Sequence, residues 1–231
     1  MSQYSNNQYD VVAIDAEPYQ FKLIPAHCAL IIIDMQRDFL ENGGFGSMLG
    51  NDVSQLRCTI EPIQKLLAAW RKSGLLVIHT REGHRSDLSD LTPTKKARGQ
   101  LKIGIGDDGP MGRILVRGEQ GHDIIQELSP LPGEIIVDKP GKGAFYATDL
   151  HLILQNASIK QLIVTGVTTE VCVHSTIREA NDRGYDCLVL KDCVGSYFPR
   201  FQEIALEMIK AQGGIFGWVS NSTTVLNALR L

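Results

Sequence analysis

The strongest constraint on this chain is the alternation of short apolar runs with amphipathic segments of helical period. The apolar runs are continuous and have the length of strands, a pattern typical of strands that are buried on both faces of a parallel sheet. The sequence predicts six of them, at residues 28–34, 75–80, 134–138, 161–166, 185–191 and 214–220.

The segments between these runs carry apolar side chains every three or four residues, and several end at a glycine such as Gly74 or Gly184. Strands that alternate with helices form right-handed βαβ units. We therefore predict an α/β fold: a three-layer α/β/α sandwich around a six-stranded, mainly parallel, Rossmann-like sheet. A length of 231 residues suits one such domain, placed at 25–231 after a polar, irregular N-terminal arm at 1–24. Residues 81–121 are predicted to form one long functional loop.

Charge and composition argue against several classes of function. Lys and Arg number 23 against 26 Asp and Glu, a net charge of −3, so the chain is not built to bind nucleic acid. No apolar run approaches the roughly 20 residues of a membrane span, and the N-terminus lacks a secretory signal pattern. Five cysteines with no CxxC pair are typical of a cytoplasmic protein with free thiols.

Chemically useful side chains follow three of the predicted strands. Asp34 ends the first strand, Lys139 follows the third, and Cys172 comes a few residues after the fourth. Because ligands bind beyond the carboxyl ends of parallel strands, we expect the three to share one site. The carboxylate could accept the proton of the thiol, and the ammonium would stabilise both anions. Each residue also has an ordinary structural alternative: a capping Asp34, a surface Lys139 and a Cys172 that only packs beneath a turn.

The surroundings of Cys172 favour a nucleophile. A threonine at the N-cap of the following helix would place the thiol in the first helical turn. There the helix macrodipole favours a thiolate, and free backbone N–H groups can bind an oxyanion. The other cysteines are predicted to lie in the core or, for Cys58, to have no chemical role: Cys28, Cys58, Cys187 and Cys193.

Other polar features are weaker signals. Residues 104–109 match GxGxxG by letter but neither follow a strand nor open a helix, which argues against a dinucleotide site. The basic residues at 95–98 are predicted to form a solvated loop patch. For Arg81 and His84 the sequence allows two interpretations: a place at the mouth of the pocket, or a plain surface role.

Three motifs resemble, in order and spacing, the isochorismatase-like cysteine hydrolases: IIDMQ at 32–36, DKPGKG at 138–143 and GVTTEVCV at 166–173. The resemblance implies the Asp–Lys–Cys triad of that family, here Asp34 as base, Lys139 as supporting charge and Cys172 as nucleophile. It also implies a cis peptide bond between Val167 and Thr168. The N–H groups of Thr168 and Cys172 would then bind the oxyanion.

Within that family the chain is most similar to the biuret hydrolases, in segments 79–85, 105–110, 138–143, 178–185 and 212–214. This implies hydrolysis of a small linear amide, biuret to allophanate and ammonia, through a thioester on Cys172. Lys142 and Gln212 would contact the substrate. Ureidoacrylate and N-carbamoyl amidohydrolases are the alternative, since the ureidoacrylate enzymes share a similar KP segment and the FGWVS run at 216–220.

The resemblance also bears on cofactors and partners. Nicotinamidases of this superfamily bind a divalent ion through an Asp-x-His pattern after the second strand, where this chain has Thr80, Arg81 and Glu82. We therefore predict no metal and no other cofactor. The expected partners are a small amide substrate and further copies of the chain, with a tetramer favoured by the resemblance. The alternative of another class is a non-catalytic oligomeric scaffold in which Cys172 is merely redox-reactive.

Overall fold

The structure, a computed structural model, describes residues 11–97 and 103–230. Ten strands lie within these ranges. In chain order they are β1 (Val12–Ile14), β2 (Phe21–Leu23), β3 (Cys28–Ile33), β4 (Leu76–Glu82), β5 (Asp108–Gly109), β6 (Gly112–Arg113), β7 (Ile135–Lys139), β8 (Gln161–Val167), β9 (Asp186–Gly195) and β10 (Trp218–Ser220).

Six of the strands form one parallel sheet in the order β10-β9-β8-β3-β4-β7. Every residue of β3 and β8 is buried, as expected of central strands that helices cover on both faces. The six predicted strands are confirmed, with differences at their ends. β10 begins only at Trp218, because the chain before it turns through glycines with positive φ, among them Gly214 and Gly217.

Helices cover both faces of the sheet, which confirms the predicted α/β/α sandwich. α4 and α9 pack on one face through Trp70 and Val225, and α6, α7 and α8 pack on the other through Leu154, Ile177 and Ile209. No helix within the described ranges is long and apolar enough to cross a membrane. The helices are α1 (Arg37–Leu40), α2 (Phe45–Met48), α3 (Ser54–Arg57), α4 (Ile60–Lys72), α5 (Pro93–Ala97), α6 (Leu150–Asn156), α7 (His174–Asn181), α8 (Pro199–Gly214) and α9 (Ser222–Leu229).

The segment before β3 is a hairpin that packs against the edge of the sheet. β1 and β2 pair antiparallel, and Glu17 between them pairs with Val219 of β10. Ile14, Phe21 and Leu23 are buried in the same core as α4 and α9. The description as an irregular arm therefore does not hold for residues 11–24, while residues 1–10 lie outside the described ranges.

The long segment 81–121 is tied to the rest of the domain. It begins inside β4 and contains α5, β5 and β6, while residues 98–102 lie outside the described ranges. Asp38, buried on α1, accepts hydrogen bonds from the backbone N–H of Leu115 (2.9 Å) and of Phe45 (3.3 Å). These bonds hold the second half of the segment against the domain.

A close approach of two central strands sets the position of the site. Gly166 near the end of β8 has a φ of +105°, and a Cβ there would lie 2.0 Å from the carbonyl oxygen of Ile33. Only glycine fits this place. The end of β8 therefore lies directly against the end of β3, beside Asp34.

Candidate active site

Four polar side chains meet at the carboxyl ends of four neighbouring strands, β8, β3, β4 and β7. Asp34 follows β3, Glu82 and Lys139 are the last residues of β4 and β7, and Cys172 comes shortly after β8. Asp34, Glu82 and Lys139 are fully buried, and Cys172 is 4% exposed. We call these four residues the polar cluster. The structure thus brings together the three residues that the sequence singled out, and it adds Glu82.

Lys139 and Asp34 form a buried ion pair. Lys139 Nζ lies 2.7 Å from Asp34 Oδ2 and donates hydrogen bonds to the carbonyl oxygens of Gly141 (3.0 Å) and Lys142 (2.9 Å). Asp34 Oδ1 accepts a hydrogen bond from the Thr80 hydroxyl at 2.7 Å. Burial would lower the pKa of Lys139, but the neighbouring anionic groups, Asp34 foremost, outweigh burial and raise the pKa. Lys139 is therefore a fixed cation.

Cys172 lies in a single π-helical turn, Thr169–Val173, that leads into α7. The peptide bond between Val167 and Thr168 is cis, as the resemblance implied. Thr168 occupies the N-cap position of the turn, but its side chain makes no capping hydrogen bond. Sγ of Cys172 and one carboxylate oxygen each of Asp34 and Glu82 lie within 4.8 Å of one another. Asp34 is therefore close enough to exchange a proton with the thiol through a small movement.

The environment of Cys172 favours the neutral thiol over the thiolate expected from the helix terminus. Burial raises the pKa of Cys172 well above its usual value, and the charges of Asp34 and Glu82 raise it further. Lys139 and Lys142 lower the pKa but do not outweigh burial. Nucleophilic attack therefore requires transfer of the thiol proton to a base during the reaction.

Glu82 is the functional residue that the sequence analysis missed. Its Oε1 accepts hydrogen bonds from Lys142 Nζ at 2.7 Å and Lys95 Nζ at 3.2 Å, and its Oε2 lies 3.4 Å from Cys172 Sγ. Burial would raise the pKa of Glu82, but Lys139, Lys142 and Lys95 together lower it to about 2. A buried, ionised carboxylate therefore lies against the candidate nucleophile.

Glu82 was missed because the end of its strand was predicted two residues too early. The sequence predicted that the second strand stops at residue 80, whereas β4 continues to Glu82. Glu82 pairs in register with Lys139, and it follows Thr80 by two residues, so both side chains point to the same face. One signal in the sequence could have revealed Glu82. In an extended strand Thr80 and Glu82 point to one face, and His79 and Arg81 point to the other.

A cavity lies next to the polar cluster. It has a volume of about 700 Å³, and Lys95 and Lys142 line it while their ammonium groups bind Glu82. Lys142 is the more open of the two, with a side chain 44% exposed against 23% for Lys95. Other lining residues include Phe45, Leu49, Thr94, Lys96, Ile105 and Asp107. A substrate that enters from this cavity meets the two lysines before Cys172.

The prediction of a solvated basic patch is wrong for Lys95. Lys95 Nζ contacts Glu82, Nε2 of His84 at 3.1 Å and the carbonyl oxygen of Pro140 at 2.7 Å. His84 is buried and its Nδ1 pairs with Asp90 at 3.1 Å, so it supports Lys95 from behind. Arg98 lies outside the described ranges.

Arg81 is not part of the cavity. Its guanidinium forms two hydrogen bonds with the carboxylate of Asp138, at 2.7 and 3.0 Å. Arg81 pairs in register with Asp138, one residue before the Glu82–Lys139 pair, so the two pairs point to opposite faces of the sheet. The open question about Arg81 is therefore decided in favour of a structural role.

The structure does not bring Gln212 to the site of its own chain. Gln212 is exposed at the end of α8, with a φ of 52°. α8 runs back from the carboxyl end of β9 toward the start of β10, and its backbone leaves helical geometry at Ala211, just before Gln212. Gln212 thus lies in the segment that leads to the start of β10, away from the residues of the polar cluster, and its contact with substrate stays a prediction.

The polar cluster also contains the donor set of a possible metal site, since Asp34, Glu82 and Cys172 converge. Lys139 Nζ lies 2.7 Å from Asp34 Oδ2 and 4.0 Å from Glu82 Oε2, so a fixed ammonium already provides the positive charge between the two carboxylates. A divalent cation at this place would be repelled by Lys139 and Lys142. The donor set does not fit a metal site.

Comparison with known proteins gives consistent matches over nearly the whole chain. The family model of the isochorismatase domain matches residues 28–223. Ureidoacrylate amidohydrolase RutB of Cronobacter sakazakii is 32% identical over 225 residues, covering 95% of this chain and 96% of the relative, and RutB of Cronobacter turicensis is equally similar. The crystal structure of a cysteine hydrolase from Pseudomonas syringae pv. phaseolicola 1448A matches with a TM-score of 0.75 at 26% identity, covering 96% of this chain and 97% of that chain.

These matches, together with the fold, define the class of protein: the chain belongs to the isochorismatase family. It is an amidohydrolase that acts on carbon–nitrogen bonds other than peptide bonds. The curated relatives named above are ureidoacrylate amidohydrolases, so these comparisons do not support the finer prediction of biuret as substrate.

Proposed function

We propose that this enzyme hydrolyses a carbon–nitrogen bond of a small ureido acid, a compound that carries both a terminal urea group and a carboxylate, through a thioester on Cys172. The observation that carries the proposal is the convergence of a buried thiol with a carboxylate oxygen of Asp34 within 4.8 Å, beside the ammonium of Lys139. A thiol, a base and a fixed cation are the groups that covalent amide hydrolysis needs.

The proposed reaction begins with proton transfer. Asp34 takes the proton of the Cys172 thiol while Sγ attacks the carbonyl carbon of the ureido group, and Lys139 stabilises the changing charges. The N–H groups of Thr168 and Cys172 bind the oxyanion of the tetrahedral intermediate. Asp34 then gives the proton to the nitrogen that leaves, and the carbon–nitrogen bond breaks. Water, deprotonated by Asp34, then bonds to the carbonyl carbon of this S-carbamoyl thioester, the carbon–sulfur bond breaks, and Asp34 returns the proton to Sγ of Cys172.

The charge of the site favours an anionic substrate. The ammonium groups of Lys95, Lys139 and Lys142 face the carboxylates of Asp34 and Glu82, which leaves one positive charge in excess next to a neutral thiol. The remaining charged residues of the cavity wall, Lys96 and Asp107, cancel. A substrate carboxylate near Lys142 would neutralise this excess. The similarity to ureidoacrylate amidohydrolases points in the same direction.

Biuret is a neutral molecule and is the weaker candidate for the substrate. Its assignment depended on Lys142 and Gln212 as the two substrate contacts. Gln212 lies in the segment that leads to the start of β10, and the ammonium of Lys142 can form no ion pair with a neutral substrate. The polar cluster therefore lacks, within one chain, the amide contact that the biuret assignment required.

Ammonia release from a substrate panel tests the proposal. The panel contains ureidoacrylate, 3-ureidopropionate, N-carbamoylsarcosine, biuret and nicotinamide, and kcat/KM is measured for each compound. We expect the ureido acids to exceed biuret by at least about tenfold, since a charge-assisted contact is worth roughly 1.5–3 kcal/mol. A higher value for biuret would contradict the anionic substrate, and no ammonia from any ureido compound would contradict the proposed function.

Two further statements stay predictions: the alternative of a non-catalytic scaffold protein, and the assembly of the chain into a homo-oligomer. A redox-reactive scaffold would show alkylation of Cys172 but no turnover of any amide in the panel. The homo-oligomer, with a tetramer favoured, rests on the resemblance and is tested by light scattering, which distinguishes one chain from four.

A further inference from the structure

Glu82 presents one oxygen to the nucleophile and one to the cavity lysines. Oε1 accepts the hydrogen bonds of Lys142 and Lys95. Oε2 lies 3.4 Å from Cys172 Sγ, and among the described residues the thiol is its hydrogen-bond donor. The nearest ammonium to Oε2, that of Lys139, is 4.0 Å away. Oε2 is therefore a charged acceptor that faces the point where a substrate carbonyl must lie.

Backbone contacts fix the position of Glu82. The side chain of Gln36, itself fully buried, accepts a hydrogen bond from the Glu82 N–H at 2.7 Å and donates one to the Glu82 carbonyl oxygen at 2.9 Å. Glu82 is also the last residue of β4, paired in register with Lys139. The carboxylate is thus held on a rigid element, as a group that positions substrate must be.

The Cys172 thiol cannot donate a hydrogen bond to Glu82 Oε2 during the reaction. Once Asp34 has taken the thiol proton and Sγ has bonded to carbon, Oε2 loses its donor, and a buried anion without a donor is costly. The nitrogen next to the attacked carbonyl of an amide or ureido group carries N–H donors, and it lies within a few ångströms of Sγ. An ester has no such donor.

We propose that Glu82 accepts a hydrogen bond from the N–H group beside the reacting carbonyl and thereby makes the enzyme favour amides and ureido compounds over esters. This inference rests on the function proposed above. Glu82 acts as a hydrogen-bond acceptor and not as the general base, because three ammonium groups stabilise its ionised form and make it a weak base, whereas Asp34 has one ammonium partner.

The test compares substrates with and without the N–H group in the Glu82→Gln variant. For ureidoacrylate, or the best ureido compound of the panel, kcat/KM should fall by roughly 10- to 100-fold, the value of a hydrogen bond to a charged group. Hydrolysis of p-nitrophenyl acetate and the reaction of Cys172 with N-ethylmaleimide should stay the same or become faster, because the Glu82 charge raises the pKa of the thiol. Glu61→Gln, an exposed glutamate on α4, is the matched control and should change nothing.

Glu82→Asp separates the contact from the charge. It keeps the anion for Lys142 and Lys95 but draws the carboxylate back from Sγ by one methylene. We expect the same selective loss on the ureido substrate, of roughly tenfold or more, with thermal unfolding close to that of the wild type.

The outcomes distinguish this inference from the proposed function. If the wild type hydrolyses ureido compounds but Glu82→Gln or Glu82→Asp lowers ester hydrolysis and maleimide labelling by the same factor, or changes neither, the role of Glu82 is wrong and the function stands. If the wild type hydrolyses no ureido compound, the proposed function fails and the inference that rests on it fails as well.

Discussion

At the scale of single residues, the chemistry depends on one neutral thiol surrounded by charges. Cys172 is nearly buried, and two carboxylates raise its pKa while Lys139 and Lys142 lower it. Such an arrangement favours the protonated thiol, and in the proposed mechanism Asp34 accepts its proton. The sequence showed the three residue types at strand ends, but the balance between burial and charge was visible only in the structure.

Lys142 is the residue whose substitution best separates the candidate substrates. Its side chain is half exposed at the cavity, so its ammonium can turn from Glu82 to a substrate carboxylate. Lys142→Met should raise KM for a ureido acid by roughly 10- to 100-fold, as expected for the loss of a charge-assisted hydrogen bond. Steady-state kinetics with ureidoacrylate and biuret measure this difference. Lys65→Met, an exposed position on α4, is the control, and an equal effect on both substrates would contradict a carboxylate contact.

At the scale of elements, the site is a product of strand ends. β3, β4, β7 and β8 each deliver one residue, and their parallel register places the residues on one edge. Continuous apolar runs made the six strands predictable, because such runs are typical of strands in a parallel sheet that helices cover on both faces. The last two residues of β4 were not predictable in the same way, since Arg81 and Glu82 are charged and their partners lie on β7. The sequence alone therefore did not reveal that Glu82 belongs to the strand, because its partner Lys139 is distant along the chain.

A second element-scale network joins α4, β4 and the start of β7. Glu134 binds Arg71 at 2.6 and 2.8 Å and His79 at 2.9 Å. Burial would raise the pKa of Glu134, but Arg71, the Leu131 N–H and His79 lower it to about 2. A depressed carboxyl pKa stabilises the fold above the pKa of the unfolded chain, and this stability is lost as the pH falls toward 2.

Glu134→Gln should therefore flatten the acid limb of the stability profile. Between pH 7 and the acid range the wild type should lose up to about 3 kcal/mol more than the variant, with the difference developing as the pH falls from about 4.5 to 2. Urea unfolding at a series of pH values measures it. Glu61→Gln, on the solvent side of α4, serves as the control. Parallel profiles for the wild type and Glu134→Gln would refute the role of this network.

At the scale of the whole molecule, the α/β/α sandwich followed from the alternation of strands and helices, and the comparisons with known structures agree. The hairpin β1–β2 was not predicted, because its strands are only three residues long. The place of Gln212 beyond the helical part of α8 was also not visible in the sequence, because resemblance suggests a role but does not show where a helix ends. Both the hairpin and the position of Gln212 depend on tertiary packing, which the sequence alone does not show.

The hairpin should contribute to global stability. Ile14 is fully buried, so Ile14→Ala removes three core carbon atoms and should cost about 2–5 kcal/mol of unfolding free energy. Val11→Ala, at a position 56% exposed, should cost less than about 0.5 kcal/mol. Chemical denaturation of both variants provides the comparison. If Ile14→Ala is as stable as Val11→Ala, the hairpin is not part of the cooperative fold.

The central claim is that Cys172 is the nucleophile of an amidohydrolase, and ammonia release by two serine variants tests it most directly. Cys172→Ser and Cys58→Ser make the same chemical change, one in the polar cluster and one at an exposed cysteine. With the substrate that the wild type turns over fastest, Cys172→Ser should lose activity by a factor on the order of 1,000 or more, because the hydroxyl is a much poorer nucleophile beside a carboxylate base. Cys58→Ser should keep the wild-type rate. Retention of a tenth or more of that rate by a folded Cys172→Ser protein would contradict the covalent mechanism.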